Sequence, residues 1–320
     1  MNTEPLVIGL DIGGTKIAGG FVDALGRTIT STIPTPATRG SSAILDAAAG
    51  LVSQLLETLD GAEVRQLLIG VAAAGAISAD GVVLAATDIL PDWAGTDLIA
   101  GLLDRTRATT VTAVNDVHAA GYGEARVGAA SGRSIVLCVA VGTGIGGAVL
   151  INGRPLLGRT GSAGSIGHVP SGRSERRVCS CGAHDHVEVY ASGPAIEADY
   201  RRLSLDPVHL PLQEIAALAR DGDSVAVGVI RAAGLELGTA IGGAANLIDP
   251  DVIVIGGGAA ELGELLLGPL REGILLQTLS GPAGVPVVKA QLGPAAAVVG
   301  AGLLARDIHG PSMPDAALPE

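Results

Sequence analysis

Residues 10–23 read LDIGGTKIAGGFVD, and the reading of this stretch decides the fold. An apolar run delivers Asp11 to its end, two glycines turn the chain, and a second apolar run leads away from Lys16. That is the pattern of two strands joined by a tight turn. The N–H groups of Gly13 and Gly14, with the Thr15 hydroxyl, are suited to cradle phosphate oxygens. Asp11 is placed to hold Mg²⁺ through water, and Lys16 to offset charge. The same residues are also ordinary turn chemistry, so this stretch alone leaves phosphate binding and a plain hairpin both open.

Two further glycine runs follow strands. VGTGIGG at 141–147 sets Gly142, Thr143 and Gly144 where a phosphate can approach without a side-chain clash. It lacks P-loop spacing, and no crossover helix with a ribose-binding acid follows, as a dinucleotide site would need. VIVIGGGAAE at 252–261 sets Gly256, Gly257 and Gly258 after a buried strand, where a base and ribose can lie flat on bare backbone. Each run is weak evidence alone; three at strand ends on one chain point to a nucleotide. The turns near 13 and 144 lie about 130 residues apart. They suggest two sheet domains, each presenting one phosphate-facing turn to a shared cleft.

The rest of the chain fits that division. A meander through GRTITSTIPT is followed by a helix over 42–59, a strand LLIGVAAAGAI and a helix near 97–107. The strand TTVTAV runs into the helix NDVHAAGYGEAR, and SIVLCVAVG…GGAVLING forms a hairpin. Helices over 192–203 and 212–247, strands DVIVIGG and VPVVKAQL, and a helix AAAVVGAGLLARD complete the pattern. Strands and helices alternate, so the class is α/β. The Pro-rich tail from Gly310 is expected to fray.

Composition narrows the function. The chain has 320 residues, enough for two domains, and only five aromatic side chains, so Ala, Val, Leu and Ile must build the core. A net charge of −12 argues against nucleic acid or an anionic membrane as partner. Residues 134–153 carry no charge and have membrane-spanning length, but the glycines inside split them into two strands. No signal peptide is evident at the N-terminus, and the expected location is cytoplasmic. Three cysteines, two of them in C-x-C spacing, suit a reducing compartment and a metal better than disulfides.

LDIGGTKIAGGFVD, VNDVHAAGYGEA, VGTGIGGAVLINGRPLLGRTGSAGSIGHV, CSCG…VEVYASG and NLIDPDVIVIGGG, in this order, resemble the ROK family of sugar kinases and repressors. The resemblance spans about residues 6–305. It implies an actin-like ATPase (ribonuclease H-like) two-domain fold with ATP and sugar in the interdomain cleft. The expected domains are residues 1–117 with 299–320, and residues 118–298 with a zinc loop. No helix-turn-helix is visible before DIGGTK, which argues against the repressor branch.

At the end of TTVTAV stand Asn115 and Asp116, where a helix begins. From the residues alone Asp116 is either a helix cap or a general base. The resemblance implies the base: Asp116 takes the proton of a sugar 6-hydroxyl as it attacks the γ-phosphate, and Asn115 bonds a neighbouring hydroxyl. His118 is expected to pack or cap, and Cys138 to be a core residue.

The segment GHVPSGRSERRVCSCGAHDHVE at 167–188 gathers two of the three cysteines and three of the six histidines. The resemblance implies a structural Zn²⁺ held by a G-H histidine and three cysteines. Here the matching positions are His168, Cys179, Cys181 and His186, with His184 and Asp185 as rival fourth ligands; two thiolates and two imidazoles remain a tetrahedral set. His168 is also expected to reach the sugar, as is Glu188. Family kinases usually read G-E-I-G-H, whereas this chain reads G-S-I-G-H, so Ser165 stands in the glutamate's place.

The expected activity is therefore ATP- and Mg²⁺-dependent phosphorylation of a hexose, glucose by default, by a homodimer or tetramer. N-acetylmannosamine, N-acetylglucosamine and kanosamine compete as acceptors because of Ser165. A non-catalytic sugar sensor is the reading from another class. Polyphosphate as donor is disfavoured, since no long basic run is present to track a polyanion.

Overall fold

The computed structural model describes residues 4–59, 64–86, 90–204 and 209–310; the tail beyond lies outside them. In chain order, the first elements are strands β1 (Leu6–Ile12), β2 (Lys16–Phe21) and β3 (Ser31–Pro34), helix α1 (Gly40–Glu57) and strand β4 (Leu67–Ala73). A small ribbon of β5 (Ala76–Ile77) and β6 (Val83–Ala85), helix α2 (Leu98–Leu103), strand β7 (Thr110–Asn115) and helix α3 (Asp116–Val127) follow. Then come β8 (Ile135–Val141), β9 (Ile145–Ile151), β10 (Arg154–Pro155), α4 (Glu188–Ala191), α5 (Gly193–Leu203), α6 (Leu212–Arg220) and α7 (Ser224–Ile248). The last are β11 (Val252–Gly256), α8 (Glu264–Gln277), β12 (Val287–Lys289) and α9 (Ala296–His309).

These elements form two compact units, one of residues 1–131, 157–162 and 294–320, the other of 132–156 and 163–293. The first holds a five-stranded sheet in the order β3-β2-β1-β4-β7. The outer strands β3 and β2 run antiparallel, while β1, β4 and β7 are parallel. Every residue of β4 is buried, as a central strand covered on both faces requires. α1 lays Ile44, Leu45, Ala48, Leu51, Val52 and Leu55 on this core at helical spacing. The chain's last helix, α9, returns to the first unit and packs on β1 and β4 so closely that a Cβ on Gly70 would sit 1.9 Å from the Ala301 carbonyl oxygen.

The second unit repeats the plan: its sheet runs β10-β9-β8-β11-β12, with β8, β11 and β12 parallel and the first two strands antiparallel. What the sequence shows only as two glycine turns is a repeat of a whole topology. In each unit the turn after the first long strand lies at the carboxyl ends of the parallel strands, where ligands of α/β sheets bind. The segment 134–153 is the β8–β9 hairpin, as expected from its central glycines.

Two helices differ from the sequence reading. The helix expected over 212–247 is two, because Gly222 adopts φ +93° and the Asp223 carboxylate caps α7 by accepting the Ala226 N–H. α8 has no counterpart in that reading: Pro269 inside it breaks the helical pattern, yet Leu266, Leu267, Leu270 and Ile274 are buried against α7. α7 is long and apolar enough to cross a membrane by length and composition, and half of its most apolar window is buried.

Candidate functional site

In the first unit the parallel strands bring the expected residues to one sheet end. Asp11 pairs in register with Ala72, and Asn115 with Ala73. The turn after Asp11 closes with the Gly13 N–H on the Lys16 carbonyl at 3.1 Å. Thr35, one residue past β3, braces it, its hydroxyl donating to the Gly13 carbonyl at 2.7 Å and its N–H to the Thr15 carbonyl at 3.0 Å. Thr15 and Lys16 are exposed there, Gly14 half-buried.

Asn115 ends β7 and caps α3. Its Oδ1 accepts the N–H groups of Val117 at 2.9 Å and His118 at 3.2 Å. Its Nδ2 donates to the Gly75 carbonyl at 3.1 Å and to Asp116 Oδ1 at 2.8 Å. Both amide hydrogens and the amide oxygen are thus engaged by the protein itself. Asp116 Oδ1 also accepts the Val117 N–H at 2.9 Å, and Oδ2 accepts no bond from another residue among those described. Burial raises the Asp116 carboxyl above its ordinary value, against the pull of these bonds. Asp11 is pushed up to about 7, first by burial, then by the charge of Asp116, with Lys16 opposing. Two half-buried carboxyls, one raised by the charge of the other, with one lysine nearby, form a donor set suited to a divalent cation. The strut behind them was not read from the sequence. Buried Trp93 donates Nε1–H to the Ala74 carbonyl at 3.0 Å, next to the Gly75 carbonyl that holds Asn115.

In the second unit, Gly142, Thr143 and Gly144 form the β8–β9 turn, closed by the Gly142 N–H on the Gly144 carbonyl at 2.9 Å. Thr143 is exposed and nothing stands within 4 Å of where a Cβ on Gly142 would lie. Glu188, from α4, reaches back to this turn: its Oε2 accepts the Ile145 N–H at 2.9 Å, and Oε1 the Ser180 hydroxyl at 3.1 Å. Gly256 ends β11 half-buried, and Gly257 and Gly258 beyond it are exposed. Gly257 adopts φ +82° with a Cβ position only 2.3 Å from the Val141 carbonyl oxygen, so no side chain fits there. Gly258 borders open space.

Ser165 precedes a 3₁₀ turn, Ile166–His168, and is exposed. His168, Cys179, Cys181 and His186 come together with their ligand atoms all within 4.8 Å of one another. His168 Nδ1 stands 3.5 Å from Cys179 Sγ, and His186 Nδ1 3.3 Å from Cys181 Sγ. A tetrahedral zinc with bonds of about 2.0–2.3 Å sets its ligand atoms roughly 3.3–3.8 Å apart; these two pairs match that spacing, and the set offers two thiols and two imidazoles within 4.8 Å. Asp185 is directed elsewhere, onto the N–H groups of Arg176 and Arg177 and the Tyr190 hydroxyl. Cys138 is buried in β8, and His118 is buried in α3.

The ROK family model matches residues 7–308. A glucokinase of Streptomyces coelicolor is 35% identical over 327 residues, covering 94% of this chain and 98% of that protein. A kanosamine kinase of Amycolatopsis mediterranei is 32% identical, covering 94% and 96%. Among solved structures, a ROK family glucokinase from Streptomyces griseus, crystallised with glucose and AMPPNP, superposes with a TM-score of 0.81 at 34% identity, covering 94% of this chain and 99% of that one. The two repeated sheets are those of the actin-like ATPase two-domain fold. By family model, sequence and fold together, this chain belongs to the ROK family.

Proposed function

We propose that the protein is a sugar kinase that transfers the γ-phosphoryl group of ATP to the 6-hydroxyl of a hexose, with Asp116 as general base. The observation that carries this is the Asp116 carboxylate: half-buried at the start of α3, one oxygen fixed by Asn115 and Val117, the other left to accept a proton. A base so placed draws the proton from the attacking hydroxyl as the bond to phosphorus forms. Asn115 fixes the carboxylate's direction. The Gly13–Lys16 turn in one unit and the Gly142–Gly144 turn in the other each offer backbone N–H groups to phosphate oxygens, with Thr15 and Thr143 adding hydroxyls. The bare backbone at Gly256–Gly258 accepts the nucleoside. Asp11 would hold Mg²⁺, which neutralises charge on the phosphate oxygens. His168, Cys179, Cys181 and His186 would hold Zn²⁺, which fixes the loop; His168 then keeps Nε2 for the sugar, beside Glu188. The protein works in the cytoplasm as a homo-oligomer, with sugar and ATP as its ligands.

Glucose is the leading acceptor, given the glucokinase relatives. Ser165 favours a second reading, an aminohexose: its short neutral side chain is exposed where the family pattern has a carboxylate. An ADP-release assay with ATP and Mg²⁺ against glucose, mannose, N-acetylmannosamine, N-acetylglucosamine, glucosamine and kanosamine separates the two. Sugar binding without turnover of any of them would overturn the kinase reading in favour of a sensor.

A further inference from the structure

We infer that Asp185 and Tyr190 are a positioning pair that holds the metal loop in register before any ion arrives. The inference rests on the zinc reading above. Asp185 sits between two histidines, yet its carboxylate is not part of the ligand cluster. Its backbone is left-handed, φ +55°, a state that few residues other than glycine adopt without compensation. The compensation is visible. Its carboxylate accepts the Arg177 N–H at 2.8 Å, the Arg176 N–H at 3.1 Å and the Tyr190 hydroxyl at 2.5 Å.

The backbone of the same residue ties the ligand-bearing segments together. Asp185 donates its N–H to the Arg177 carbonyl at 2.9 Å, two residues before Cys179, and its carbonyl accepts the Ser171 N–H at 2.8 Å, three residues after His168. On either side, His184 bridges to Val178 and His186 to Pro170. The left-handed turn at 185 therefore sets where His186 stands relative to His168 and Cys179.

Tyr190 anchors the arrangement from outside the loop. It is buried on α4, two residues from Glu188, and the guanidinium groups of Arg177 and Arg173 stand 4.5 and 5.0 Å from its ring centre. Arg177 is fixed in turn by Asp199, through bonds of 2.8 and 3.1 Å, and by the Val189 carbonyl at 3.2 Å. Burial and the neighbouring Asp185 push the Tyr190 hydroxyl up to about 12, so it remains a donor at neutral pH. Groups that orient metal ligands in this way typically change affinity about 10- to 100-fold when removed.

The test uses the full-length zinc-loaded protein and follows zinc release into an excess of chromogenic chelator, with zinc content measured beforehand. Asp185→Gly tolerates the left-handed backbone but loses the carboxylate; Tyr190→Phe keeps the ring and loses only the hydroxyl. Both are expected to bind one zinc per chain and release it at least about tenfold faster than wild type. The double variant should release it no faster than Asp185→Gly, since the two share one bond. Wild type carrying one zinc with variants that release it at the same rate overturns the pairing and spares the metal site. Wild type without zinc overturns the metal site and the pairing with it.

Discussion

Glu188 accepts the backbone N–H of Ile145 at 2.9 Å, so the carboxylate proposed to bind sugar also buttresses the turn proposed to bind phosphate. A Cβ on Gly144 would lie 2.6 Å from the same Oε2 atom. Gly144→Ala is therefore expected to displace Glu188 and raise KM for both ATP and sugar, lowering kcat/KM at least tenfold. Loss of a charge-assisted bond of about 1.5–3 kcal/mol supports that size. Steady-state kinetics with each substrate varied checks it; a change confined to ATP would disconnect the two roles.

Asp116→Asn should lower kcat by about 10²- to 10⁴-fold and leave sugar binding, measured by calorimetry, largely intact. Burial raises the Asp116 carboxyl, and only its ionised form can take a proton. kcat should thus fall as pH drops through that raised value. A pH profile flat on the acid side would remove Asp116 as base.

Asp11 gives an opposite signature in stability. Its folded pKa is about 7 against 3.8 for the free side chain, so between those values the folded state binds more protons than the unfolded one. Stability then falls as pH rises across that window. Asp11→Asn should melt higher than wild type near neutral pH and above in metal-free buffer, with the gain shrinking as pH falls toward 3.8, while turnover is lost. Thermal melts over a pH series decide it.

Trp93 is the chain's single tryptophan and is buried, so its emission reports on the turn that holds Asn115. Trp93→Phe strands the Ala74 carbonyl and should cost stability of about 1–3 kcal/mol. It should also depress kcat more than KM. An equal loss in both would mean that the strut does not reach Asp116.

Removing the proposed zinc with a chelator should abolish activity, and its return should restore it. His186→Cys should keep the metal, since thiolate replaces imidazole, and His184→Ala should bind it as wild type does. Zinc content by mass spectrometry checks both variants.

Much of this was legible from local pattern. β1 to the Lys16 turn, and β7 running into α3, announce themselves because an apolar strand, a turn residue and a cap are adjacent in sequence. The four clustered His and Cys residues were legible through the family resemblance. What escaped the sequence depends on partners far apart along the chain. The Asn115 carboxamide is filled partly by Gly75, 40 residues away, which no spacing rule reports. Arg177 meets Asp199 across 22 residues, a pairing that no local pattern in the loop reports. α8 was hidden because Pro269 interrupts a periodicity that packing on α7 restores.

The return of α9 to the first unit has a consequence for synthesis on the ribosome. β1 and β4 emerge early, but the helix that covers them begins only at Ala296, after the whole second unit has been made. Most of the second unit is continuous in sequence and can settle while the first waits with bare apolar strands. Nascent chains stalled before Ala296 should therefore expose β1 and β4 to protease or chaperone and protect β8 and β11, so the Gly142–Gly144 turn, encoded second, would be the first to become structured.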